Sequence, residues 1–82
     1  MNFIIEFCHS DENYNHIVDD FERIPNVKSA TDALRWTKEL LDSTFGHLYK
    51  KHSTHYDLWK ADKDCYEKVG EVPVITGGIE NL

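Results

Sequence analysis

Seven side chains in this 82-residue sequence offer an imidazole nitrogen or a thiol sulfur to a metal or to nucleophilic chemistry: five histidines and two cysteines. The histidines are His9, His16, His47, His52 and His55, and the cysteines are Cys8 and Cys65. Cys8-His9 and His52-x-x-His55 are the pairs whose spacing suits a metal, with Asp57 or Cys65 to complete four ligands. Zinc needs such donors to meet in a tetrahedron. A strand at Cys8-His9 sends the two side chains to opposite faces, and the two pairs lie far apart in the chain. The spacing therefore assigns no metal and no cofactor. C-x-x-C and zinc-finger spacings are absent. The two cysteines are read as free thiols packed as small hydrophobes. The histidines are read as scattered surface groups.

The carboxylates are more unevenly placed. The stretch SDENYNHIVDDFE, residues Ser10 to Glu22, carries Asp11, Glu12, Asp19, Asp20 and Glu22 and no Lys or Arg. Glu6 precedes it, and the sixty residues after it hold nine acids and nine bases. The net charge of −6 thus resides in the first quarter of the chain. Acid–base work by an Asp/Glu pair needs a defined separation across a cleft. A chain this short has little room for a cleft of ~300 Å³. The TGG of Thr76 to Gly78 lacks the Lys-Ser/Thr pair and following helix of a phosphate loop. No enzyme is expected.

Direct contact with nucleic acid is disfavoured, because phosphates are met by clustered Lys and Arg. Tyr49, Tyr56, Trp59 and Tyr66 lie near Lys50, Lys51, Lys60, Lys63 and Lys68, a set that in principle stacks bases. They match no RNA-binding signature and are expected chiefly to fill the core. A row of carboxylates instead suits a basic protein surface, such as that of a nucleic-acid-binding protein, and speeds encounter with it. The plainer reading is a solvated loop and edge strand whose charges discourage edge-to-edge pairing. The expectation is a non-enzymatic protein–protein interaction module, an inhibitor or adaptor, using Asp11, Glu12, Asp19, Asp20 and Glu22. The alternative is a small metal- or ligand-binding domain built on His52, His55 and Cys65. In size and charge the chain is similar to small acidic proteins of phages and mobile elements, many anti-restriction and anti-CRISPR inhibitors among them. That likeness is one of class, and no motif assigns a family.

Those residues must be held by elements, and the pattern implies a small α+β domain. Residues Asn2 to Cys8 alternate, with Phe3, Ile5 and Phe7 on one face and Ile4, Glu6 and Cys8 on the other. Apolar residues on both faces make this an inner strand. HIVDDFERI fits a helix capped by Ser10 or a strand hairpinned to the first; strand is preferred because the first strand needs neighbours. Ser29 caps a helix over about 30–45, with Asp32 as a capping-box variant. Its stripe is Ala30, Ala33, Leu34, Thr37, Leu40, Leu41, Thr44 and Phe45, and Gly46 suits its end. HLYKKH is read as a further strand, or the helix runs on by a turn to Leu48. YDLWKADKDCYEKVGEV is preferred as a hairpin turning at Asp62-Lys63, pairing Trp59 with Tyr66 and Asp57 with Lys68. VPVIT makes a last short strand, and 77–82 a flexible tail.

The whole is one helix on an antiparallel sheet, ββα followed by two or three strands, with a single domain over 1–76. No apolar run nears the ~18 residues of a membrane span. MNFIIEF lacks a basic start and is interrupted by Glu6, so no signal peptide is expected and the expected location is the cytoplasm. A homodimer through an exposed sheet edge or face is compatible with either function.

Overall fold

A computed structural model describes residues 1–82. Strand β1, Phe3–Ser10, is the inner strand its two apolar faces require, lying between β2, His16–Ile24, and β3, His55–Ala61. The opposite edge of β3 is shared by β4, Lys68–Val69, and β5, Ile75–Gly78. All pairings are antiparallel. The fold is α+β: a five-stranded sheet with one main helix.

The segment from His16 to Ile24 is a strand, as its proximity to β1 favours. The hairpin turn that joins it to β1 is built by Asp11. Its carboxylate accepts from the backbone N–H groups of Asn13 and Asn15 at 2.9 and 2.8 Å, and Tyr14 takes a left-handed φ of 63°. Asp side chains mimic a turn of backbone in this way.

Helix α1, Ala30–Asp42, begins where Ser29 Oγ accepts the N–H of Asp32 at 3.2 Å. The capping box is only half made, because the Asp32 carboxylate pairs with Arg35 at 2.9 Å. Ala33, Thr37 and Leu41 form its buried line. Thr37 is fully buried without cost to hydrogen bonding, since its hydroxyl donates to Ala33 O.

The helix stops three residues before the expected 45. Ser43 is its C-cap, with its N–H and hydroxyl both turned back to Leu40 O. Gly46 opens a second short helix, α2, Gly46–Lys50. A Cβ on Gly46 would lie 1.7 Å from Leu41 O, so only glycine lets the chain fold back this tightly. HLYKKH is therefore neither a strand nor a continuation of α1. Phe45 and Leu48 stay exposed, and Tyr49 alone of the three packs inward, 4.7 Å from the Phe7 ring.

One core holds α1 to the sheet: Phe3, Ile5 and Phe7 from β1, Ile24 from β2, Tyr56 and Leu58 from β3, and Ala33 and Leu41 from α1. Burying side chains of this size contributes about 1.5–3 kcal/mol each. Ile79, 7% exposed, closes the core from the chain's last segment. The expected tail is therefore not free. Gly77 and Gly78 pair with Tyr56 and His55 in β5, and Ile79–Asn81 form a 3-10 turn. A Cβ on Gly77 would come within 2.9 Å of the Tyr56 hydroxyl, so any larger residue there has to displace that side chain.

The 56–69 region is a hairpin, with a wider turn than the Asp62-Lys63 pairing implies. The register is Lys60↔Val69 and Ala61↔Lys68. Asp62 accepts the N–H groups of Tyr66 and Glu67, and Cys65 sits at φ 54° with its thiol against Phe3 O. Six residues are thus consumed by the turn, and β4 is left with two. No helix is long and apolar enough to cross a membrane.

Candidate functional site

Cross-strand partners share a face of a sheet. The face away from α1 therefore carries Ile4, Glu6 and Cys8 of β1, Phe21 and Arg23 of β2, and His55, Asp57 and Trp59 of β3. No helix covers it. At one end the Arg23 guanidinium lies between the rings of Phe21 and Tyr66, 5.0 and 4.8 Å from their centres. Next to it Lys68 bonds Glu6 at 3.1 Å and rests 4.4 Å over Trp59. At the other end sit Cys8, His16, His55 and Asp57.

His16 reaches this face because of a β-bulge. Phe7 pairs with Asp20, but Cys8 pairs with Val18, so Asp19 is an extra residue. An extra residue inverts the side-chain alternation beyond it. Counting back from Phe21 and Arg23 without the bulge puts His16 on the helix side. With it, Val18 and His16 share the face of Cys8.

The four groups touch. His16 Nε2 lies 3.4 Å from Asp57 Oδ2, His16 Nδ1 lies 3.4 Å from His55 Nε2, and the Cys8 thiol donates to Asp57 Oδ2 at 4.0 Å. One donor atom each of Cys8, His16 and His55 fall within 4.8 Å of one another. Burial, together with the carboxylates of Asp57, Glu6 and Asp19, pushes the Cys8 thiol up to about 12. A nucleophilic cysteine needs a neighbour that stabilises its thiolate. Cys8 points at a carboxylate, which does the opposite.

This is a different set from the one the spacing singles out. Cys8 and His55 are direct partners across β1 and β3, and Asp57 is beside them. His9 is on the other face, 2.8 Å from Asp19. His52 lies outside the cluster, and Cys65 is buried under Ile4 and Ala61. His16 has no sequence neighbour to flag it. Its only signal is its place six residues beyond Ser10, across a hairpin.

The five carboxylates of the acidic stretch divide by what holds them. Asp11 is the turn-builder, and the bonds from Asn15 and Asn13 keep its carboxyl below the ordinary range. Asp19, Asp20 and Glu22 follow the edge strand on its helix side. Partial burial pushes the Asp19 carboxyl up, but hydrogen bonds from His9 and Ser53 outweigh it and the net shift is downward. Glu22 accepts the Tyr49 hydroxyl at 2.5 Å, and that bond, with burial, pushes the phenol up to about 12. Asp20 accepts only the adjacent Phe21 N–H, and Glu12 is exposed in the turn without a side-chain bond. The ion pairs to Lys or Arg are made by Asp32, Asp42 and Glu6, and by none of these five.

The aromatic set does not gather into a stacking platform. Tyr56 is buried in the core, Tyr49 packs on Phe7, and Trp59 and Tyr66 are on the uncovered face beneath Lys68 and Arg23. No protein-family model, curated protein or solved structure matches the chain.

Proposed function

We propose that the protein is a non-enzymatic interaction module, of inhibitor or adaptor type, that sets the β1–β2 turn and the β2 edge against a basic surface of a partner protein. One observation carries the reading. Asp11, Glu12, Asp19, Asp20 and Glu22 run along one hairpin, and their contacts are with His9, Ser53, Tyr49, Asn15 and backbone rather than with Lys or Arg. No Lys or Arg side chain of the molecule therefore pairs with these five carboxylates. A row of carboxylates steers a cationic surface and fixes its orientation. β2 is also an edge strand, so its outer backbone groups are free to meet the partner. A surface that normally holds nucleic acid has the complementary charge.

The test uses the two carboxylates with the least structural work, Glu12 and Asp20. Tagged wild type, Glu12→Lys/Asp20→Lys and a helix control, Glu39→Lys, are presented to nuclease-treated lysate. Basic proteins retained at physiological salt by wild type and control, and lost by the double variant, are expected. Amide shifts on adding a purified captured protein should map to residues 11–22. An identical captured set for all three proteins, or shifts mapping elsewhere, overturns the reading.

A further inference from the structure

On the uncovered face, we propose that Cys8, His16, His55 and Asp57 form a four-ligand site for a zinc-like divalent cation, a site separate from the acidic hairpin edge and independent of the docking reading. The donors come from three strands: Cys8 from β1, His16 from β2, and His55 and Asp57 from β3. Zinc bonds nitrogen and oxygen at about 2.0–2.2 Å and sulfur at about 2.3 Å, so the donor atoms of a tetrahedral site stand roughly 3.3–3.7 Å apart. One donor atom each of Cys8, His16 and His55 already lies within 4.8 Å of the others, and Asp57 Oδ2 is 4.0 Å from the Cys8 sulfur and 3.4 Å from His16 Nε2. His16 offers the ion one of its two ring nitrogens, which gives up its present contact. Closing the site draws the side chains together from these separations to those edges.

Three further features fit a cation. A thiolate and a carboxylate neutralise a dication, while two imidazoles add donors without charge. His55 Nδ1 is 3.2 Å from Thr54 Oγ1, which fixes the ring and leaves Nε2 toward the cluster, the arrangement that metal-bound histidines use. The site also grades from a fully buried sulfur to a His16 side chain that is 49% exposed, so a hydrated ion has a path in from the open side. The mixed sulfur, nitrogen and oxygen set favours zinc over magnesium or calcium, which take oxygen ligands. With four protein ligands and no position left for water, the bound ion would be structural, tying the start of β2 to β1 and β3.

The site is tested on the full, tag-free chain with zinc and with cobalt(II) as spectroscopic probe. One equivalent of zinc should bind and raise the thermal midpoint. Cobalt should give the intense visible bands of a tetrahedral ion and a near-ultraviolet thiolate charge-transfer band. His16→Asn, at an exposed position, should fold as wild type and lose at least about 100-fold in affinity, because even an outer-shell partner is worth about 10–100-fold. Thr54→Val should lose about tenfold by the same rule. Cys8→Ser should abolish the charge-transfer band, while His9→Asn and His52→Asn should bind as wild type. Absence of stoichiometric binding overturns the proposal, as does binding that survives in a folded His16→Asn/His55→Asn protein. Half an equivalent with a zinc-dependent dimer overturns it too, since the ligands would then come from two copies.

Discussion

The two faces of this sheet are made by the same strands, residue by residue in alternation, yet they do opposite things. Facing α1, Phe3, Ile5, Phe7, Ile24 and Leu58 are all 2% exposed or less and belong to one apolar cluster. Facing away, Glu6 is buried at the base of a layer of paired polar groups: Arg23 between two rings, Lys68 on Glu6 and Trp59, and His16 and Asp57 around Cys8. The first face gains its stability from non-directional burial. The second is roofed by long side chains whose stems cover the strands while their charged ends meet partners or water. A small domain that can afford only one helical layer shields its other sheet face this way. What it teaches is where change is tolerated: on the uncovered face the groups are positioned by specific contacts, and on the covered face by volume.

The sharpest way to break that contrast is to truncate matched aromatic residues. Phe7→Ala should cost about 3–5 kcal/mol, the range for a buried phenylalanine, and leave the domain marginal. Phe21→Ala, at 45% exposure, should cost less than about 1 kcal/mol. Urea unfolding monitored by tryptophan fluorescence reads both, and equal losses would show that the uncovered face is a second core. Gly46→Ala probes the corner that holds the covering layer. With a backbone oxygen 1.7 Å from the new carbon, the α1–α2 turn must open, at about 1–3 kcal/mol. The same substitution at Gly70, where only Val72 O is near, at 3.8 Å, perturbs a positive φ without that clash and should leave α2 in place. Loss of amide protection confined to 43–53 in the Gly46 variant is the expected signature.

The smallest effect concerns the two turn-building carboxylates. Asp11 and Asp62 are held below their ordinary value of 3.8, chiefly by hydrogen bonds from Asn15 and from Tyr66 N–H respectively. A carboxyl with a depressed folded pKa contributes stability above its unfolded value, and that contribution is lost as pH falls through the folded one. Stability should thus decline on acidification below about pH 4, and Asp62→Ala should flatten the decline. A carboxyl NMR titration placing Asp11 and Asp62 at or above 3.8 would contradict the turn geometry.

Much of the fold was legible in the chain. β1 alternates, α1 carries its cap and its stripe, and the acidic stretch is where composition places it. What was not legible turned on partners distant in sequence. α2 replaces a strand because Gly46 folds back on Leu41, a contact no local propensity records. Residues 77–82 are held because Ile79 finds the core and Gly77 clears the Tyr56 ring, both consequences of β5 pairing with β3. The hairpin after β3 took a wider turn because Asp62 caps two N–H groups, leaving the Trp59–Tyr66 pairing unmade.

By itself the sequence determined the charge asymmetry, the two-faced inner strand and the capped helix, since charge, period and caps are local properties. Tertiary structure alone decided which ionisable groups became neighbours. Cys8 meets His55 only through the β1–β3 register, and His16 joins them only because Asp19 is bulged out. The physical reason is parity. A strand assigns its side chains to faces by counting in twos, so one extra residue, set by long-range pairing, reassigns every side chain beyond it.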